Sequence, residues 1–310
     1  MASPLQRLSA GALGWLGRNL DHFDPFPASA RPATHGRAKA ALELALLCHC
    51  AARADGAPEA LHEATALIRK VWQDPEFPRL FDETPAYAAT YRLIYAALAP
   101  DGIDDTLCRA ALASLGSDFL SPRGKSPYQR IEIRHYADKA GVRHAIEPYA
   151  ALVPYSPLVA FRAAGPGDDG APADGAPLTT PQAYALTHTA FYLGDFGRTA
   201  PDLTGGDLAH ARDLVDRMLR HSSRHDRWDL AAELVLAQFV LGCEPWRTPS
   251  GAEALECLVR AQRPDGAIPG RSAALAASPS ASPAEFFAKA YHTTLVTALM
   301  ALVVTSARPS

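Results

Sequence analysis

Histidines and carboxylates set at helical intervals are the residues of this chain best suited to moving protons. Tyr184, His188 and Tyr192 recur every four residues and so share one face of a helix, with Asp195 one turn further on. Asp229 and Glu233 stand four apart behind Trp228 and project together. His292 shares a face with Ala288, Leu295 and Leu299. Two imidazoles with one or two carboxylates can hold zinc or a non-haem iron and leave a position open for substrate. The same groups serve metal-free acid–base work, in which a carboxylate orients a histidine of near-neutral pKa. The expectation is therefore metal-ligand positions at His188 and His292, and catalytic positions at Glu233, Asp229, Asp195 and Tyr192. A divalent metal belongs to one form of this site and not to the other. Each residue also has a plainer reading: a histidine packed in an apolar helix, Asp229 favouring a helix N-terminus, Asp195 closing a turn.

Other chemistries lack their residues. There is no Gly-rich phosphate loop, no Gly-x-Ser-x-Gly and no His-Glu-x-x-His. Cys48, His49 and Cys50 are adjacent, and neighbouring helical positions point about 100° apart, so they cannot all aim at one ion. The five cysteines are scattered and odd in number, which reads as reduced thiols in a cytoplasmic protein. The basic stretch Arg123, Lys125, Arg130, Arg134, Lys139 and Arg143 reads as a solvated face, with a phosphate or carboxylate site as the sharper alternative. His35, Arg37 and Glu43 could line a cavity. A formal net charge of −3 argues against a general nucleic-acid or membrane-surface binder, so the partner expected is a small molecule. The most apolar run, 288–305, carries Lys289 and His292 and falls short of the ~20 apolar residues of a membrane span.

Helices must position these groups, and their starts are punctuated. Ser3-Pro4, Thr84-Pro85, Ser126-Pro127, Thr180-Pro181, Thr248-Pro249 and Ser282-Pro283 each precede an apolar-periodic segment. A hydroxyl there accepts from a first-turn N–H, and proline fits a position whose donor would go unused. Ser126 with Gln129, and Ser282 with Glu285, also match a capping box. The spacing predicts helices over 4–20, 36–53, 58–72, 85–98, 104–119, 127–140, 181–194, 206–221, 227–241, 249–262 and 283–305. Gly141, Gly194 and Gly242 stand where a left-handed C-terminal residue is wanted. Residues 150–162 read as irregular, and 163–179, rich in Gly, Pro, Ala and Asp, as a surface loop within one domain. In the C-terminal half, apolar helices (181–194, 227–241, 283–305) alternate with one-sided charged ones at a period of roughly 45–55 residues. That alternation predicts an all-α, double-layered α/α toroid.

Gln262-Arg263-Pro264-Asp265-Gly266, followed by Tyr291-His292-Thr293-Thr294, resembles the last repeat of protein prenyltransferase β subunits. More broadly it is similar to the α/α-toroid superfamily that includes terpenoid cyclases. The resemblance covers about the last 50 residues. It implies an outer helix ending at the Asp-Gly turn, an inner helix opened by Tyr-His-Thr, and a zinc-binding role for His292. No Asp-x-Cys pair precedes His292, and no Asp-x-Asp-Asp motif is present; Asp104-Asp105 reads as a helix cap. The resulting expectation is an enzyme of bacterial specialised metabolism that cyclises, eliminates or isomerises a small, partly apolar substrate. The alternatives are a helical-repeat binding or scaffold protein and a prenyltransferase-like subunit.

Overall fold

Serine and threonine caps fix most of the helix starts in the computed structural model, which describes residues 3–26, 36–53, 59–164, 172–270 and 282–306. Ser3 opens α1 (Pro4–Arg18) and Ser126 opens α6 (Pro127–Ala140), each in a reciprocal capping box with the glutamine three residues on. Thr248 caps α12 (Pro249–Ala261), and Ser282 exchanges hydrogen bonds with Glu285 at the start of α13 (Pro283–Ser306). α9 (Thr180–Leu193) is capped by Thr179 with Gln182, one residue earlier than the Thr180-Pro181 pair suggests. Thr84-Pro85 caps nothing. The chain there leaves a 3-10 segment, Phe77–Glu83, and enters α4 (Ala88–Ala97) without a side-chain cap. Phe77 and Phe81 pack with Trp72 and Tyr95 in tilted and edge-on contacts beside the entry to α4.

The remaining helices are α2 (Arg37–Ala52), α3 (His62–Trp72), α5 (Thr106–Ala113), α7 (Tyr149–Leu152), α8 (Pro157–Ala160), α10 (Gly205–Arg224) and α11 (Trp228–Val240). Among the described residues there is no strand, so the fold is all-α. α5 is shorter than 104–119, and 149–160 form short helical turns instead of irregular chain. Of the 163–179 loop, residues 165–171 lie outside the described residues, as does His35. Residues 172–179 are anchored: Leu178 is buried and Asp174 pairs with Arg227. Gly141 and Gly242 take the expected left-handed φ of +65° and +78°, but Gly194 does not. Glycine is required at 194 because a Cβ would meet Val240 at 2.3 Å.

One hydrophobic cluster runs from Leu5 on α1 to Val304 on α13. Within it α2 packs on α4, α4 on α6, α6 on α9, α9 on α11, α11 on α13 and α13 back on α2. α3, α5, α10, α12 and α1 pack against α2, α4, α11 and α13 from elsewhere. α11 is buried nearly all round, from Leu230 to Gln238. α13 is long and apolar enough to cross a membrane by length and composition, and most of that stretch is buried inside the protein.

Candidate functional site

The helices of that contact order line a cavity of about 1010 Å³. Its wall is largely apolar, with Leu42, Leu46, Leu236, Leu295, Val296 and Leu299 among the lining residues. Into it α2, α6, α9, α11 and α13 bring Glu43, Glu132, His188, Glu233 and His292, all but His188 from the N-terminal half of the helix. These residues are 249 positions apart at the extremes of sequence.

Glu233 is the centre of the group. It sits on a helix with no solvated face and is only 2% exposed, so its charge needs partners. The Thr187 hydroxyl donates to Glu233 Oε2 at 2.6 Å, and His188 Nε2 lies 3.6 Å from the same oxygen. The other oxygen, Oε1, lies 4.0 Å from His292 Nε2. His292 then turns its Nδ1 to Glu43 Oε2 at 3.2 Å, and Glu43 Oε1 is 3.4 Å from Lys39 Nζ. On the far side, His188 Nδ1 is 3.3 Å from the Tyr128 hydroxyl. The Tyr192 hydroxyl donates to Glu132 Oε1 at 2.9 Å. Both imidazole side chains remain about one-third exposed.

These contacts set the protonation states. Burial alone would push the Glu233 carboxyl up, but His188, by charge and hydrogen bond, then His292 and Thr187, hold it below its ordinary value. Burial disfavours the proton of His188, yet Glu233 and then Glu132 outweigh that and raise it. His292 is raised in the same way, burial being overcome by Glu43 and Glu233. Glu43 is lowered: burial is outweighed by His292 and Lys39. Glu132 moves the opposite way. Burial raises it, and the Tyr192 hydroxyl, His188 and the Tyr128 hydroxyl only partly offset this. The cavity thus holds ionised carboxylates beside imidazoles and, across from them, a carboxyl biased towards its neutral acid form.

The model of one protein family spans nearly the whole of this arrangement. The chain belongs to the DUF6895 family. That family, described as a domain of unknown function, matches residues 9–302, so every residue of the cavity wall lies inside the DUF6895 domain. No curated protein matches the chain.

The DUF6895 cavity brings together His188, His292, Glu233 and Tyr192, as the helical spacing suggests. Asp229 stands behind it as the acceptor of the Tyr184 hydroxyl. Asp195 is elsewhere. It lies in a turn where Asp195, Phe196 and Gly197 all have positive φ, and its carboxylate pairs with Arg53 and Lys139, each at 2.7 Å, and with Arg198. Burial opposes ionisation there, but Arg53 and Lys139 hold the carboxyl far below its ordinary value. Asp195 locks α2 and α6 to the end of α9 and does not line the cavity. The basic stretch is likewise consumed internally, with Arg130 on Glu147, Arg134 on the Ile146 and Glu147 carbonyls, and Lys139 on Asp195.

The donors do not form a ligand set for the zinc or iron that the two imidazoles and their carboxylates suggest, nor for the zinc that the resemblance implies at His292. Among the described residues no three His, Cys, Asp or Glu side chains group in a way that could hold a metal ion. The Nε2 atoms of His188 and His292 both face the Glu233 carboxylate, and their Nδ1 atoms face the Tyr128 hydroxyl and Glu43. Sequence reasoning passed over Glu132. Tyr128, Glu132 and Tyr136 repeat at four-residue intervals, the same signal that marks Tyr184, His188 and Tyr192, but the surrounding arginines and lysines of α6 masked it.

Proposed function

We propose that this protein is a proton-transfer enzyme that isomerises, eliminates or cyclises a small to mid-sized, partly apolar molecule. The observation that carries the reading is a buried carboxylate, Glu233, shared by two imidazoles that themselves face a large cavity. A carboxylate behind an imidazole fixes its orientation and stabilises its protonated form, which lets the ring take up and return a proton. Glu233 is a positioning residue on this reading, since it acts through His188 and His292. Those rings are the groups that meet the substrate. Glu43 positions His292 from its other nitrogen.

The helix order α2, α4, α6, α9, α11, α13 and back to α2 supports an α/α toroid, with these helices as its inner layer. The Gln262 to Gly266 turn ahead of α13 supports the same reading, as the resemblance implies. Free, buried thiols at Cys48, Cys108 and Cys257 fit a cytoplasmic setting, and a role in bacterial specialised metabolism goes with the toroid.

The test compares the wild-type protein with Glu233→Gln in a bacterial metabolite extract made up in D2O and read by mass spectrometry. One compound gains deuterium or becomes an isomer, a cyclised product or an eliminated product with the wild type, at least ~100-fold faster than with the variant. If no compound is altered faster by the wild type, the enzyme reading fails.

A further inference from the structure

Glu132 is the carboxyl of the cavity whose contacts do not explain why it is there. Glu43 and Glu233 face imidazoles, and Glu43 also faces Lys39, whereas Glu132 faces phenols: the Tyr192 hydroxyl donates to it and the Tyr128 hydroxyl lies against it. Tyr128 in turn meets His188 Nδ1, whose Nε2 faces Glu233. When His188 carries a proton on both nitrogens, its Nδ1–H donates to the phenol oxygen. The Tyr128 O–H is then released to donate elsewhere. Tyr128 and Glu132 are one helical turn apart on α6 and both line the cavity, so both can present a hydroxyl to the same space.

We infer that Tyr128 and Glu132 form a hydrogen-bonding pocket for the carbonyl oxygen of a neutral ketone or enone, and that the reaction at this site is an enolisation. The inference rests on the proton-transfer reading and specifies its substrate class. Charge supports a neutral ligand. Lys39, Glu43, His292, Glu233 and His188 pair with one another in series, so an ionic substrate group beside the two imidazoles would have to break one of those pairs; Arg37 and Glu83 also line the cavity. The apolar remainder of the wall suits a hydrocarbon body. A carboxylic acid biased towards its neutral form by burial is a strong donor to a developing oxyanion. Burial raises Glu132 in that direction.

The step balances without an oxidant. His292 in its neutral form removes a proton from the carbon next to the carbonyl. The C–H electron pair becomes the C=C bond, and the carbonyl π pair moves onto oxygen, where the Tyr128 and Glu132 donors hold it. In a β,γ-enone the oxygen pair then re-forms the carbonyl, the new C=C pair moves to Cα=Cβ, and the Cβ=Cγ pair takes the same proton from His292 at Cγ, which gives the conjugated isomer. In a simple ketone the proton returns to Cα and exchanges there with solvent.

The test uses 2-naphthol, whose hydroxyl and aromatic body imitate an enol, against naphthalene, which lacks the oxygen. Calorimetric or fluorescence titration is expected to give wild-type binding of 2-naphthol about tenfold or more tighter than naphthalene. Tyr128→Phe and Glu132→Leu should each remove about tenfold of that preference, with naphthalene binding unchanged. Glu132→Gln, which keeps a donor, should retain most of it, and thermal melting verifies that each variant folds. Equal binding of the two probes, no binding of 2-naphthol, or a preference indifferent to both Tyr128→Phe and Glu132→Leu overturns the inference. The wider reading fails separately. Glu233→Gln also lowers His188 and so weakens the Tyr128 donor, which makes the wild type the separating readout: a naphthol preference without any wild-type hydrogen exchange would sink the enzyme and the enolisation and leave the pocket.

Discussion

Two carboxylates, Glu233 and Asp195, are each held by several cationic partners, and they differ in what those partners can do. Asp195 is bound by a guanidinium and an ammonium, from Arg53 and Lys139, in a turn outside the cavity. Glu233 is bound by imidazoles and sits on the cavity wall. Partners whose charge is fixed at working pH make a clamp. Partners that gain and lose a proton near neutrality make a site. The contrast separates structural from chemical carboxylates more sharply than burial or pairing does by itself.

The largest expected effect splits the two directly. Glu233→Gln should lower hydrogen exchange or turnover by at least ~100-fold, whereas Asp195→Asn should leave it within about threefold. Asp195→Asn should instead cost about 1–2 kcal/mol of stability in a denaturant melt, a figure discounted because the clamp is partly open to solvent. A collapse of activity in Asp195→Asn with the fold intact would erase the distinction.

A pH series sharpens it next. His188 and His292 have raised pKa values, so their stabilising contribution is full below the ordinary imidazole range and is lost as pH rises through the raised values. Glu233 is lowered, so its contribution is full above the ordinary carboxylate range and is lost as pH falls through the lowered value. The stability gap between wild type and Glu233→Gln should therefore peak between these limits and shrink on both sides. For Asp195, whose carboxyl is lowered, the gap to Asp195→Asn should shrink on the acid side alone across the neutral range. NMR titration of the two imidazoles should place both above 6.5 in the wild type and lower in Glu233→Gln.

The smallest effect concerns how α9 delivers His188. Thr179→Ala should cost about 1 kcal/mol through its lost cap and Thr180→Ala less than half of that, measured by thermal melting. Equal costs would mean that the helix begins where the Thr-Pro pair suggests.

Much of this architecture was legible because it is local. A Ser-Pro or Thr-Pro cap and an apolar stripe are written within a few residues, and α6, α12 and α13 begin where those signs put them. The site was legible in part. His188, Glu233 and His292 stand out as polar residues on apolar helices, where a charge without a function is costly. Glu132 did not, because α6 is polar along much of its length and its cavity face shows only in three dimensions. Asp195 was misplaced for a related reason. A carboxylate one turn beyond His188 shares its face only if the helix continues, and the chain instead turns left-handed through Asp195, Phe196 and Gly197. Its partners, Arg53 and Lys139, are remote in sequence and leave no local mark.

α13 carries a liability along with His292. While seated against α1, α2 and α11 most of its apolar stretch is buried, but any opening of the chain that frees it releases a rod of bilayer-compatible hydropathy into water. Such a rod adsorbs to other chains or to lipid faster than it can find its way back. Heat-treated protein should therefore clump instead of recovering, and ligands that brace the cavity against α13 should delay the loss.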